Sequence, residues 1–332
     1  MIAQRGRSVF VGAFLIGMAA QASPPAGFVF VSNEASHSIS VMDAATDRVI
    51  ATIAVPSRPR GIQATRDGRF VFVALSEDTI VRGSKRRDAI AVIDPIRRTM
   101  VRQLRSGTDP EQFAITPDGS TIYASNEDAG TASAIDVRTG NVAATAVVGI
   151  EPEGVAVSPD GKWVYVTGET SNSVTVLDAH TRAVIANLLV DARPRGVAFA
   201  PDSRWAYVSA EIGGSVTMID TKAREIVATR SLDGGESKPV GVVVSPDGGR
   251  VYVACGRSNA VAVLNARTLL PLAKIPVGHR PWGVTLSADG GTLYVANGMS
   301  NTVSVIDTRT SRVRATVAVG VRPWGVAFVR PP

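Results

Sequence analysis

The sequence predicts an all-β chain: a seven-bladed β-propeller with four antiparallel strands per blade. Three observations predict it. First, a phrase recurs seven times, at Pro59, Pro110, Pro152, Pro194, Pro239, Pro281 and Pro323: a proline, one residue, usually a glycine, then alternating apolar residues. The spacings are 51, 42, 42, 45, 42 and 42 residues, which suits four short strands per copy. Second, β-branched residues dominate and helical periodicity is absent. Third, the two ends complement one another, as the strands show when taken in order.

One copy gives the grammar. Gly154-VAVS alternates and reads as strand A. Pro159-Asp160-Gly161 makes the next turn, because proline presets φ and glycine tolerates φ > 0. Trp163-VYVT, Ser173-VTVLD and Ala183-VIANLLV follow as strands B, C and D. At the N-terminal end the repeat starts on a B strand, Phe28-VFVS, followed by C (Ser38-ISVMD) and D (Arg48-VIATI). At the other end stands a lone A strand, Trp324-GVAF. Pairing them closes the ring, and closure leaves only protected strand edges. This composite is blade 1, and blades 2 to 7 follow in chain order.

The 332 residues therefore divide into a leader, 1–22, and one propeller domain, 23–332. In the leader, Arg5 and Arg7 precede the apolar run Val9 to Ala20, and Ala20-Gln21-Ala22 has the small-x-small form of a cleavage site. That predicts export, to the periplasm in a Gram-negative cell, and no membrane span after cleavage. The formal charge of +6 is too small for a dedicated duplex-DNA binder. Cys255 is the single cysteine, so no intramolecular disulfide, thiolate cluster or haem attachment exists.

All five tyrosines (Tyr123, Tyr165, Tyr207, Tyr252 and Tyr294) share one repeat position, which Phe30 and Phe72 fill in the other two blades. A residue repeated in every blade reads as packing. The Asp-Gly turns at Asp67, Asp118, Asp160, Asp247 and Asp289 repeat likewise and carry no chemistry.

Tyr165-Val-Thr-Gly and Tyr294-Val-Ala-Asn, with Asn33 and Asn126 in Ser-Asn-Glu, resemble YVTN-type propeller repeats. Ser106-GTDPEQFAITPDG, Ser125-NED, Val148-GIEPEGVAVSPDGK, Val190-DARPR and Ser209-AEIGGSVTMID resemble the propeller family associated with PQQ-dependent catabolism. The resemblance implies an exported protein working beside quinoprotein alcohol or aldehyde oxidation, with a component of such a system as its partner.

Sites are expected where the regular pattern breaks. The D-to-A and B-to-C loops share the face around the channel mouth, and loops carry function on a rigid scaffold. Beside the prolines stand Arg58 and Arg60, Asp109 and Glu111, Glu151 and Glu153, Arg193 and Arg195, Lys238 and Val240, Arg280 and Trp282, and Arg322 and Trp324. The B-to-C loops add Glu34, Glu77, Glu127, Glu169 and Glu211, with Arg257 and Met299 read as their counterparts in blades 6 and 7.

Two adjacent blades thus carry an acidic sector, Asp109, Glu111, Glu127, Glu151, Glu153 and Glu169. The other blades carry arginines, with Trp282 and Trp324 side by side. The cationic side suits a small anion or a protein partner, since Arg grips carboxylates and phosphates in pairs of hydrogen bonds and Trp is a rigid anchor. The plainer reading is loop-tying ion pairs, such as Glu77 with Arg58 or Arg60 and Glu211 with Arg193 or Arg195, worth about 0–1 kcal/mol each when exposed.

The long loop of blade 2 carries Arg82, Lys85, Arg86 and Arg87, either a solvated segment or a dock for an acidic partner. The acidic sector offers oxygen ligands but no EF-hand-like loop, so no metal is expected. Nor is a cofactor. No catalytic residue is assigned: His37, His180 and His279 do not cluster, and no G-x-S-x-G elbow exists.

The expected function is a non-enzymatic binding or scaffold propeller. The alternatives are a lactone hydrolase, by fold analogy, and a single-strand nucleic-acid binder, which the acidic sector disfavours.

Overall fold

The computed structural model describes residues 1, 2, 26–77 and 88–330. The expected leader from residue 3 onward, and Arg82, Lys85, Arg86 and Arg87, lie outside the described residues. The described strands form seven four-stranded antiparallel sheets, each in the order inner to outer that the repeat predicts. Blade 1 is the composite: Pro323–Val329 pairs with Phe28–Asn33, which pairs with Ser38–Asp43 and then Arg48–Ala54. Among the described residues, no helix is long and apolar enough to cross a membrane.

The seven-fold tyrosine and phenylalanine position is fully buried between blades. Tyr123 donates to the Ala179 carbonyl and Tyr207 to the Ala266 carbonyl, both at 2.7 Å, so the phenols also tie blades together. Tyr165 packs edge-on against Phe199, with ring centroids 4.8 Å apart.

The glycine of the recurring phrase has a steric cause. A Cβ on Gly283 would lie 2.5 Å from the Trp324 carbonyl oxygen, and one on Gly325 would lie 2.8 Å from that of Arg60. In the six glycine-bearing blades the inner strands converge too closely for a side chain there, whereas blade 3 carries Gln112 at this position. The residue before the glycine is instead turned to the mouth. Below it, the inner strands enclose a channel cavity of ≈ 440 Å³ lined mostly by glycine and small apolar residues.

A chain ending at Arg322 lacks the inner strand of blade 1 and leaves Phe28–Asn33 with an open edge. Such a chain is expected to lose the single cooperative urea transition, followed by circular dichroism, and to aggregate. An unchanged transition would contradict ring closure as the source of stability.

Candidate functional site

Backbone hydrogen bonds assemble the mouth. In blade after blade, the first residue past strand B donates its N–H to the residue before the proline. Glu34 bonds Arg322, Glu127 bonds Asp109, Glu169 bonds Glu151, and Glu211 bonds Arg193. In blades 6 and 7 the equivalent donors are Gly256, to Lys238, and Gly298, to Arg280. This corrects the register read from the sequence. Arg257 and Met299 sit one residue further on, so the repeat's glutamate is replaced in these blades by glycine.

Side chains fix the same loops. Asn172, Asn259 and Asn301 each accept the N–H of the arginine 21 residues later, Arg193, Arg280 and Arg322, at 2.9 Å. These arginines hold positive φ, between 52° and 59°, so the asparagines stabilise a backbone state that L-residues resist. A hydroxyl on strand B of one blade holds the mouth residue of the next. Ser32 donates to the Arg60 carbonyl at 2.6 Å, Ser125 to Glu153 at 2.7 Å and Thr167 to Arg195 at 3.1 Å. Sequence reading missed both devices, although their fixed spacing within the repeat was visible.

The charged residues pair across blades. Arg195 reaches Glu153 at 2.7 Å, Glu211 at 2.9 Å and Glu169 closely. Arg193 reaches Glu169 at 2.8 Å and Glu211 at 3.4 Å. Arg60 is in close contact with Glu111 and meets Glu34 at 3.2 Å. Arg58 reaches Asp109 at 3.0 Å, Glu34 at 3.4 Å and Glu111 at 3.6 Å. The expected pairing of Glu211 with Arg193 and Arg195 is therefore present. The acidic sector is not a separate territory: its inner carboxylates, Glu111 and Glu153, meet the arginines of the flanking blades. Glu151 stays exposed and accepts the Thr170 hydroxyl. Asp109, Glu111 and Glu127 approach within 4.8 Å of one another, as a cation site would. Arg58 and Arg60 already supply countercharge to two of them.

Burial shapes the titration of this network. Burial and the neighbouring Glu153 charge push the Glu169 carboxyl up to about 8. Burial also pushes up Glu153, but Arg195 and Arg60 more than offset it and leave it below the ordinary range. The pair thus holds one proton on Glu169, hydrogen-bonded to the Glu153 carboxylate. Burial, reinforced by Glu153, raises Glu111 well above its ordinary value. Burial opposes the charge on Arg60 and Arg195, yet the facing carboxylates outweigh it and keep both protonated.

On the other side of these guanidinium groups lies a cavity of ≈ 490 Å³. Glu34, Arg60, Arg195, Arg280 and Arg322 supply its polar lining, and Trp282, Trp324 and Met299 its apolar wall. The indole centroids are 6.0 Å apart. Arg195 and Arg280 lie 5.3 and 5.0 Å from the Trp282 ring, and Arg60 lies 5.8 Å from Trp324. Of the residues singled out from the sequence, Arg60, Arg195, Arg280, Arg322, Trp282 and Trp324 converge here. Arg58, Arg193 and the acidic sector stand behind them, and Lys238 stands beside them, half-buried. His37 and His279 are exposed on the rim. His180 lies on the opposite face, in a surface cavity with Asp118 and Asp160.

Two family models match the chain. The model of the seven-bladed β-propeller lactonases matches residues 190–322, and that of the YNCE-like β-propellers matches residues 76–190. No curated protein matches. Among solved structures, the chain is similar to Kuenenia stuttgartiensis hydrazine synthase, at 25% identity and a TM-score of 0.76, over 89% of this chain and 99% of that one. It is similar to the Pseudomonas aeruginosa periplasmic gluconolactonase, at 23% identity and 0.75, over 92% and 99%. A Bacteroides uniformis protein proposed to be a 6-phosphogluconolactonase gives 19% and 0.75, over 91% and 99%.

These matches carry the propeller assignment. They also overturn the expected function. A model of lactonases, matching the segment that holds Arg193, Arg195, Arg280, Trp282 and Arg322, points to the lactone hydrolase alternative rather than to a non-enzymatic scaffold of quinoprotein oxidation.

The Glu169 proton gives stability a pH dependence. In the folded chain this carboxyl keeps its proton up to about pH 8, whereas an ordinary glutamate loses it near 4.5. Folding therefore takes up a proton between those values, and stability falls as pH rises through that window. Urea titrations from pH 5 to 8.5 should show the fall, and Glu169→Gln, which mimics the neutral acid, should flatten it. Parallel profiles for the two proteins would refute the assignment.

Proposed function

We propose that the chain is a lactone hydrolase whose reaction takes place in the mouth cavity. One observation carries the reading: a single cavity holds a carboxylate, Glu34, and two guanidinium groups, Arg60 and Arg195, that are fixed in place by carboxylates behind them, Glu111 for Arg60 and Glu153 and Glu211 for Arg195. Lactone hydrolysis needs a base for water and a cation for the oxyanion. In this reading Glu34 takes a proton from water, and the hydroxide oxygen bonds to the lactone carbonyl carbon. The negative charge that collects on the carbonyl oxygen lies against Arg60 and Arg195. The ring C–O bond then breaks, and its oxygen leaves as an alkoxide that takes the proton back from Glu34. The product is a hydroxy acid.

The lactonase model match over residues 190–322 supports the same class independently of the geometry. Under this proposal the YVTN-type repeat is the scaffold, the leader places the enzyme in the periplasm, and a small anion is its ligand.

Purified protein, assayed by acid release at constant pH against a panel of γ- and δ-lactones, is expected to exceed spontaneous ring opening for at least one of them. Glu34→Gln should lower kcat by about 10²-fold or more, the usual worth of a general base. Arg195→Gln should cost about 10²-fold, as loss of an oxyanion contact does. Absence of turnover across the panel, with and without added divalent metal, would overturn the proposal, and full kcat in Glu34→Gln would remove Glu34 from it.

A further inference from the structure

The regular pattern breaks most informatively at a side chain that is missing. Five blades carry a glutamate just past strand B: Glu34, Glu77, Glu127, Glu169 and Glu211. Blades 6 and 7 carry Gly256 and Gly298 at this position. Neither glycine has the positive φ that demands glycine. A Cβ on Gly298 would lie 3.4 Å from the Arg280 and Pro323 carbonyl oxygens, and one on Gly256 would lie 3.4 Å from that of Lys238. Those are ordinary contacts. The backbone therefore tolerates a side chain at both positions. What the glycines leave is space, and Gly298 lines the mouth cavity.

They also leave charge. Arg193 and Arg58 follow glutamate-bearing blades and meet the glutamate of the preceding blade, Glu169 at 2.8 Å and Glu34 at 3.4 Å. Arg280 and Arg322 hold the same repeat position but follow the glycine-bearing blades 6 and 7, and they reach carboxylates, Glu211 and Glu34, only at 3.8 and 3.9 Å. Their side chains remain 48% and 61% exposed. Asn259 and Asn301 fix their backbone at the rim. The floor between them is Trp282 and Trp324, with Met299, an adaptable apolar side chain, 64% exposed beside them.

We propose that this half of the mouth, blades 6, 7 and 1, is a recognition subsite for an amphipathic organic acid: a carboxylate on an apolar body. Arg280 and Arg322 take the carboxylate, and the indole and thioether wall takes the body. A polyhydroxylated acid fits poorly, because its hydroxyl donors need acceptors. The acceptor side chain on the cavity wall is Glu34, which Arg60 engages at 3.2 Å. The inference rests on the mouth as the reactive site and narrows the substrate to lactones with such a body and a free acid group.

Equilibrium binding, measured by calorimetry without turnover, tests it with three probes: 3-phenylpropionate, its amide, and gluconate. 3-Phenylpropionate should bind about tenfold or more tightly than either of the others, as one charge-assisted contact and one apolar face would give. Gly298→Glu restores the repeat's glutamate beside Arg280 and should weaken 3-phenylpropionate by about tenfold or more. The double variant Arg280→Gln/Arg322→Gln should do the same from the exposed rim, where substitution spares the core. No measurable binding of 3-phenylpropionate, equal binding of the amide, gluconate as tight or tighter, or an unaffected double variant would each overturn the subsite. Loss of lactone turnover with binding intact would count against the reaction alone. Binding lost while turnover survives would count against the subsite alone.

Discussion

Two guanidinium groups, that of Arg195 buried and that of Arg60 largely so, organise everything at the mouth. Arg60 and Arg195 each bridge from their own blade to carboxylates of neighbouring blades, and each lies against an indole on the other side. A buried charge is tolerated only when it is paired and hydrogen-bonded, and removing one partner leaves the other exposed to the full desolvation cost, typically about 3–5 kcal/mol. The network is therefore fixed as a unit. Its carboxylates share a proton because two of them, Glu153 and Glu169, cannot both be charged this close to one another in so little water. The guanidinium groups in turn present rigid positive charge to the cavity, which is what a developing oxyanion requires.

The fold was legible in the sequence to the level of individual strands, because every device that builds it is repeated. The Pro-x-Gly phrase, the tyrosine ring and the Asp-Gly turns recur at fixed spacing, and the two ends supply what the other lacks. The mouth was legible only as a set of residues. Position in the repeat identified Arg60, Arg195, Trp282 and Trp324, since the residue between proline and glycine must face the channel. It did not give their partners. Pairing depends on which way long side chains lean across blade boundaries, and Arg195 draws on Glu153 and Glu169 of the preceding blade and on Glu211 of its own. Glu34 entered the sequence reading as one glutamate among five. It lines the cavity because Arg60 and Arg58 pull it there.

The register of blades 6 and 7 shows why an absent side chain is hard to read. In sequence, Arg257 and Met299 stand where the other blades have glutamate, and both look like substitutions. The hydrogen bonds from Gly256 and Gly298 place the break one residue earlier and turn a substitution into a deletion of charge. The consequence is a mouth in two halves. One half neutralises itself and holds reactive groups in place, and the other keeps exposed cations over an apolar floor. Such a division gives a substrate an orientation as well as an affinity, since only one end of it is matched by each half.

The division can be observed directly at the arginines. In the protein labelled with ¹⁵N, the Nε–H signals of Arg58 and Arg193 belong to the neutralised half, and those of Arg280 and Arg322 to the open half. Titration with 3-phenylpropionate is predicted to shift the Arg280 and Arg322 signals and leave those of Arg58 and Arg193 in place. Equal shifts at all four, or shifts confined to Arg58 and Arg193, would contradict a mouth divided in this way.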